Sequence, residues 1–254
     1  MDDPALDAAV TLVRVAAARG VPLRIVGGLA VRYLTPDFPA RTRSGQDLDL
    51  ASTGEARRDL TTFLGEHDYQ PDKNFNALYG HKQLYFRSPD GSQTLDVLVD
   101  RFEMCHTLDF TGRLTRVPVT LDPTDLLLSK LQIVQLNAKD AQDVCYLLAV
   151  APLSASDTPG DIGLGRIGEL MGSDWGWWRT VTANLDLISK LIDERVEGPA
   201  GPLVPDGHRE EVAGAVVSIR AHCDRVPKSR KWKWRAAIGD RKRWYEQPEE
   251  VDHD

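Results

Sequence analysis

Cysteine is scarce in this chain of 254 residues: only Cys105, Cys145 and Cys223 occur, an odd and scattered set. That usage points to reduced thiols and argues against a disulfide framework. No CxxC spacing is present, and Cys105-His106 and His222-Cys223 are isolated adjacent pairs, so the close ligand clusters of a structural zinc site are missing. Also absent is any apolar run of the roughly 18 residues needed to span a bilayer. The N-terminus carries Asp2 and Asp3 where a secretory leader would carry basic residues. A cytoplasmic location with no membrane attachment is the expectation. No internal repeat or long low-complexity tract appears, and with 42% hydrophobic residues the chain has enough apolar material for a substantial core.

Charge is unevenly spread. Of 31 basic and 38 acidic residues, the stretch Arg225 to Arg243 holds nine Lys or Arg and one Asp, which leaves 22 basic and 37 acidic residues elsewhere. A basic tail therefore follows an acidic body.

The chain is organised around Ile25-Val26-Gly27-Gly28-Leu29-Ala30 and, about twenty residues later, Gln46-Asp47-Leu48-Asp49-Leu50. The apolar run Leu23 to Val26 ends in a glycine pair and then takes helical spacing through Leu29, Ala30, Val31 and Tyr33, which predicts strand, tight turn and helix. Such a turn exposes backbone N–H groups at a helix start, where unsatisfied donors and the macrodipole attract phosphate. In a strand, Asp47 and Asp49 project to one face. Two carboxylates there repel unless a cation lies between them, so a phosphate cradle beside a divalent-metal site is the leading hypothesis.

Around these stretches the spacing predicts an N-terminal helix ending at Gly20, and a helix to about Leu34 stopped by Thr35-Pro36-Asp37-Phe38-Pro39. Arg41, Thr42, Arg43 and Ser44 form a basic approach to the second strand; Arg41 and Arg43 fit phosphate contacts and solvated loop charge equally well. A helix over 54–65 follows. Tyr69, 76–87 and 93–100 read as strands, the last two a β-hairpin turning at Ser88-Pro89-Asp90-Gly91. In its returning strand Thr94, Asp96, Leu98 and Asp100 share one face. An acid in that position is costly to bury unpaired; Asp96 needs a shared metal with Asp47 and Asp49, a salt bridge to an arginine such as Arg87, or a place on an exposed edge strand. A short strand is expected near 114–120.

Asp122-Pro123-Thr124-Asp125 starts a helix on which Lys130 falls among apolar positions, where it either snorkels or offers its ammonium to a triphosphate. The next helix, from about Lys139, carries Asp140 and Asp143 at i, i+3, open to a pairing role with Lys139 or Lys130 as much as to catalysis. Residues 152–160 are linker-like. Beyond them the chain reads as all-helical, with Trp175, Trp177 and Trp178 as packing bulk. The last part, Lys228-Ser229-Arg230-Lys231-Trp232-Lys233-Trp234-Arg235, interleaves cations with aromatics. That pattern suits a nucleic-acid backbone with stacked bases, or a tail lying over the acidic body.

Gly27-Gly28, then Asp47-x-Asp49, then a strand acid at Asp96, in that order, resembles the nucleotidyltransferase superfamily related to polymerase β. The Gly-Gly-Leu-Ala beginning, the spacing from glycines to acids, and the Lys130 helix followed by Lys139-Asp140-x-x-Asp143 look like its AbiEii-type branch, which includes toxins of toxin–antitoxin pairs. The resemblance covers about residues 20–150. It implies an α+β fold, a nucleotidyltransferase-type mixed sheet with flanking helices over 1–150; the helical domain over 151–254, with the basic, Trp-containing tail, is read from its residues alone. It further implies Mg²⁺ or Mn²⁺ on Asp47, Asp49 and Asp96, an NTP held by Gly27, Gly28 and Arg43, and Lys130 offsetting charge on the leaving pyrophosphate. Arg41, Asp140 and Asp143 are secondary candidates. The implied reaction is transfer of NMP to a hydroxyl, of RNA (a tRNA 3′ end, for a toxin-like activity) or of a small molecule as in aminoglycoside nucleotidyltransferases, with an antitoxin as a further partner. Gly28 stands where the family often has serine, which keeps open a catalytically inactive nucleotide- or RNA-binding relative.

Overall fold

Asp3 caps the first helix by accepting a hydrogen bond from the Leu6 amide at 3.2 Å; with Pro4 at the first helical position, α1 runs over Pro4–Ala18 and buries Ala5, Ala9, Leu12, Val13 and Ala16. The structure, a computed structural model, describes residues 3–41 and 47–247. They fall into two compact units: 3–36, 40–41, 47–102 and 109–122 make the first, and 37–39, 103–108 and 123–247 the second.

The first unit is built on a mixed five-stranded sheet of β1 (Arg24–Ile25), β2 (Leu48–Ser52), β3 (Gln70–Pro71), β4 (Gln83–Arg87) and β5 (Thr94–Val99), in the order β1-β2-β5-β4-β3. Strands β2 and β5 are parallel and the remaining neighbours antiparallel. The two parallel strands sit at the centre, with Leu48, Leu50, Leu95, Val97 and Val99 buried on one side of the pleat. Helices α2 (Gly27–Leu34), α3 (Arg57–Glu66) and α4 (Lys73–Tyr79) flank the sheet. The β4–β5 hairpin closes as its sequence predicts: Asp90 accepts from the Ser88 hydroxyl at 2.7 Å and the Ser92 amide at 3.1 Å, and Gly91 takes φ +69°. Those donors hold the Asp90 carboxyl down at about 2.

Two expected strands are corrected. The strand expected over 76–87 begins only at Gln83, because Asp72 accepts from the Phe75 amide at 3.0 Å and starts α4. Asn76 still faces the strand: its side chain donates to the Tyr85 carbonyl at 3.1 Å and accepts from the Tyr85 amide at 2.7 Å, imitating a ladder partner. Segment 114–120 forms no named strand; it makes a single bridge from Thr120 to Ile25. Pro118, without an N–H, cannot carry a ladder through that stretch.

The second unit is mainly helical: α5 (Pro123–Leu131), α6 (Ala138–Val150), α7 (Leu164–Ser173), α8 (Trp175–Asp193), α9 (Arg209–Arg225) and α10 (Arg230–Ile238); two short ladders, Leu153–Ser154 with Ile162–Gly163 and Glu197–Gly198 with Gly201–Pro202, depart from the all-helical expectation. Its changeover point lies between Asp122 and Pro123, well before the Pro- and Ser-rich stretch at 152–160 that composition marks as a linker. The reason is packing. Buried Leu127, Leu131, Val144, Leu147 and Leu148 of α5 and α6 join the core of Ile167, Met171, Val181, Leu185, Val212 and Val216, and Asn184 of α8 donates to the Leu131 and Ile133 carbonyls, each at 2.8 Å. Cys145 and Cys223 lie in this core, and burial pushes both thiols up to about 12, consistent with inert reduced cysteines. Among the described residues no helix is long and apolar enough to cross a membrane.

His106 is buried in the same unit, its Nε2 hydrogen-bonded to the Thr180 hydroxyl at 2.8 Å and its ring 5.1 Å from that of Trp177. Burial pushes its pKa down to about 4, against the opposing pull of the Asp174 charge. The folded state therefore holds a neutral imidazole where the unfolded chain takes a proton below about 6.5. Stability is unaffected by this group above pH 6.5 and falls as pH drops from there, by about 3 kcal/mol at pH 4. Urea titrations at pH 7 and pH 4.5 are expected to show that slope, and His106→Gln to flatten it.

Candidate active site

The glycine turn and the acid strand meet in the first unit. Gly27 opens α2 with φ +63°, a left-handed conformation that favours glycine. A Cβ at this position would lie 2.7 Å from Asp49 Oδ2, so the turn backbone rests against that carboxylate. The Val26 amide donates to the Asp49 carbonyl at 2.9 Å and fixes the turn to β2. Val26 gives α2 no side-chain cap. Its first-turn amides are thus an electropositive helix start next to an acid. Gly27→Ala is expected to cost about 1–3 kcal/mol, since it adds left-handed strain to a contact too short for any Cβ; a thermal melt measures it.

Parallel pairing of β2 with β5 places Asp49 directly opposite Asp96. Both are half-buried while Leu48, Leu50, Leu95 and Val97 are buried, so the two carboxylates share the opposite face of the sheet. Neighbouring strands lie about 4.8 Å apart, close enough for strong repulsion unless something positive intervenes. The Gln83 amide of β4 donates to both Asp96 oxygens at 2.7 Å, which orients that carboxylate without neutralising it. One side-chain repeat away, Asp47 accepts from the Thr94 hydroxyl at 2.5 Å. Arg87, the alternative partner foreseen for Asp96, makes an ion pair with Asp72 at 3.8 Å.

The expected three-carboxylate metal set is only partly brought together. Asp49 and Asp96 are paired by register, but among the described residues no group of three or more His, Cys, Asp or Glu is placed to hold a metal. The donor chemistry nonetheless fits. Hard carboxylate oxygens are what Mg²⁺ and Mn²⁺ prefer, and Mg²⁺ commonly takes one or two carboxylates and completes its shell from substrate phosphates and water. Arg41 is half-buried ahead of β2, and Arg43 lies outside the described residues.

Lys130, Asp140 and Asp143 belong to the second unit and form their own cluster. The Lys130 ammonium lies 2.7 Å from Asp140 and 3.0 Å from Asp143, joining α5 to α6. Burial works against its charge, but Asp143 and Asp140 outweigh it and the lysine pKa is raised. Asn137 caps α6 and also donates to Asp140 at 2.8 Å. Gln83 was not foreseen as part of the site. Its signal was available only after pairing β4 with β5, because its diagonal relation to Asp96 depends on hairpin register.

No family model matches the chain, and no curated protein matches it. Among solved structures, an antigenic nucleotidyltransferase-like protein from Paracoccidioides brasiliensis is similar over 90% of this chain and 95% of that one, at 15% identity and a TM-score of 0.41. The antibiotic-resistance factor ANT(2'')-Ia is similar over 56% of this chain and 80% of its own, at 15% identity and a TM-score of 0.36. A STING-associated CdnE c-di-GMP synthase from Capnocytophaga granulosa is similar over 87% and 82%, at 9% identity and a TM-score of 0.24.

Proposed function

We propose that the first unit transfers a nucleotidyl group from an NTP to a hydroxyl, with RNA as the acceptor class. The observation that carries this is the Asp49–Asp96 pair on adjacent parallel strands, with the Gly27 turn set against Asp49. An acid pair beside a helix start suits a substrate whose triphosphate is anionic at one end and reacts at the other. A divalent cation held by Asp49 and Asp96, with Asp47 nearby, would supply charge neutralisation for the triphosphate.

The chain's own groups have separate tasks. The Gly27 and Gly28 amides hold the β- and γ-phosphates at the α2 start, where backbone donors cost no rearrangement. Asp96, oriented by Gln83, accepts the proton of the attacking hydroxyl on a carboxylate oxygen. The bond formed is acceptor oxygen to α-phosphorus, the bond broken is α-phosphorus to the bridging oxygen, and pyrophosphate leaves in line. Thr94 keeps Asp47 aligned with the strand. Lys130 is left out of the reacting group because its ammonium already serves two carboxylates of its own unit.

The test is incubation of the purified chain with Mg²⁺ or Mn²⁺ and each of four α-labelled NTPs, against total RNA and a panel of hydroxyl metabolites. Label in RNA supports the proposal as stated. Label in a small molecule keeps the transfer and moves the acceptor; label nowhere, with no NTP binding by calorimetry, overturns it. Whether an antitoxin-like partner restrains the activity is a separate proposal, tested by co-purification of the chain from its native host.

A further inference from the structure

The cation and aromatic run at the C-terminus resolves into two sets of side chains with different surroundings. One set is an anchor. Trp232 packs against Trp178 with ring centroids 5.4 Å apart, and Lys228 lies over both rings while its ammonium donates to the Met171 and Cys223 carbonyls. Arg235 stacks 4.6 Å from Trp175 and donates to the Gly239 carbonyl at 2.8 Å and the Lys242 carbonyl at 2.5 Å. These contacts fix α10 and the following turn to the rest of the second unit.

The other set faces outward. Trp234 is 80% exposed on α10, an unusual setting for the largest apolar side chain. It shares a helix face with Lys231 at i−3 and Ile238 at i+4. Both of those line a cleft of about 380 Å³ whose walls also carry Lys242, Arg243, Trp244 and Tyr245. Two acids are in the wall as well, Asp174 and Glu246. Asp174 is occupied as the α8 cap, accepting from the Gly176 and Trp177 amides at 2.7 and 3.2 Å. Lys231, Lys233, Lys242 and Arg243 are exposed. Exposed cations around a cleft, with a solvent-facing indole on the helix face that Lys231 and Ile238 share, match the alternation of phosphate and base along an unpaired strand. A membrane surface is poorly matched, because Trp234 and Ile238 are the only large apolar side chains α10 exposes and a buried apolar face is what interfacial helices need.

We infer that this cleft and the Trp234 face bind a single-stranded polynucleotide, with Lys231, Lys242 and Arg243 on phosphates and Trp234 stacked on a base. The inference names a docking site for the acceptor of the proposed transfer, yet its test needs neither NTP nor metal. Labelled 12-nucleotide RNA and DNA strands are titrated with the full chain in EDTA, by fluorescence anisotropy, over a range of salt. Saturable binding is expected, and Trp234→Ala is expected to weaken it about tenfold or more. Lys231→Ala with Lys242→Ala should lower the slope of log affinity against log salt by about 1.4, near 0.7 for each phosphate contact. Asp49→Asn should bind as wild type, which separates failure here from failure of the transfer reading. Because Trp234 is almost wholly solvated, its variant should keep the wild-type melting temperature. Tighter binding to RNA than to DNA, or the reverse, identifies the natural strand. Absence of binding to both, wild-type affinity in Trp234→Ala, or binding to anionic phosphatidylserine vesicles in place of the oligonucleotides would overturn the inference.

Discussion

Asp49→Asn is expected to lower nucleotidyl transfer by about a thousandfold, the scale seen when one preorganised electrostatic group is removed from a reacting centre. Asparagine keeps the size of the side chain and stays on the same strand. The β2–β5 ladder and the Val26 amide to Asp49 carbonyl bond use only backbone and survive. What is lost is one of the two negative charges facing each other across the strands. Stability should change by less than about 1 kcal/mol, as is usual away from a core, cap or buried charge. Asp96→Asn should be comparably damaging, because it removes both a charge and the proton acceptor that Gln83 orients. Asp47→Asn should cost less, since Asp47 sits one repeat further along and is tied to Thr94. Initial rates with α-labelled NTP, alongside thermal melts, give all three values. Wild-type rates in Asp49→Asn would remove Asp49 from the reaction.

Much of this arrangement was legible from local patterning. Period-two alternation in 94–99 gives the correct faces for Asp96 and Val97, and the glycine pair after an apolar run gives the start of α2. A sequence does not display register. That Asp49 lies opposite Asp96 and not opposite Leu95 or Val97 is decided by parallel pairing of positions 47 residues apart, and one step of slippage would have turned one acid into the core. The same holds for Gln83, whose role exists only once β4 is laid beside β5.

The misread segments have local causes of another kind. Residues 76–79 are expected as the start of a strand, but Asp72 placed before them is a strong helix cap and takes the stretch for α4. Helices α5 and α6 look from composition as though they end the first domain, because the clearest linker-like shift, at 152–160, comes after them. They are buried almost all the way round, polar positions such as Asp125, Gln142 and Asp143 included, and such helices need neighbours on more than one side; α8 and α9 supply part of that cover. The basic tail was ambiguous for a similar reason. Its composition contains both anchoring and exposed aromatics, and only tertiary contacts separate Trp232 from Trp234.

Lys130→Met is expected to destabilise the second unit by about 3–5 kcal/mol, the range for breaking a buried ion pair by removing one partner. The lysine side chain is 13% exposed, and the carboxylates it joins, Asp140 and Asp143, are 11% and 4% exposed. Without the ammonium, two acids one helical turn apart would face each other in a poorly solvated site, and their repulsion adds to the cost of burial. For a chain of this length the loss corresponds to a fall in melting temperature of the order of 10 °C. Methionine fills nearly the same space, so little of the change comes from a cavity. Combining Lys130→Met with Asp140→Asn and Asp143→Asn should recover a large part of the stability, because the charges then disappear together. That recovery also decides between the two roles the sequence leaves open for this lysine. A packing role predicts that the triple variant regains both stability and transfer activity. A lysine needed at the triphosphate predicts recovered stability with NTP affinity and rate still lost, and calorimetric NTP binding by the triple variant distinguishes the two.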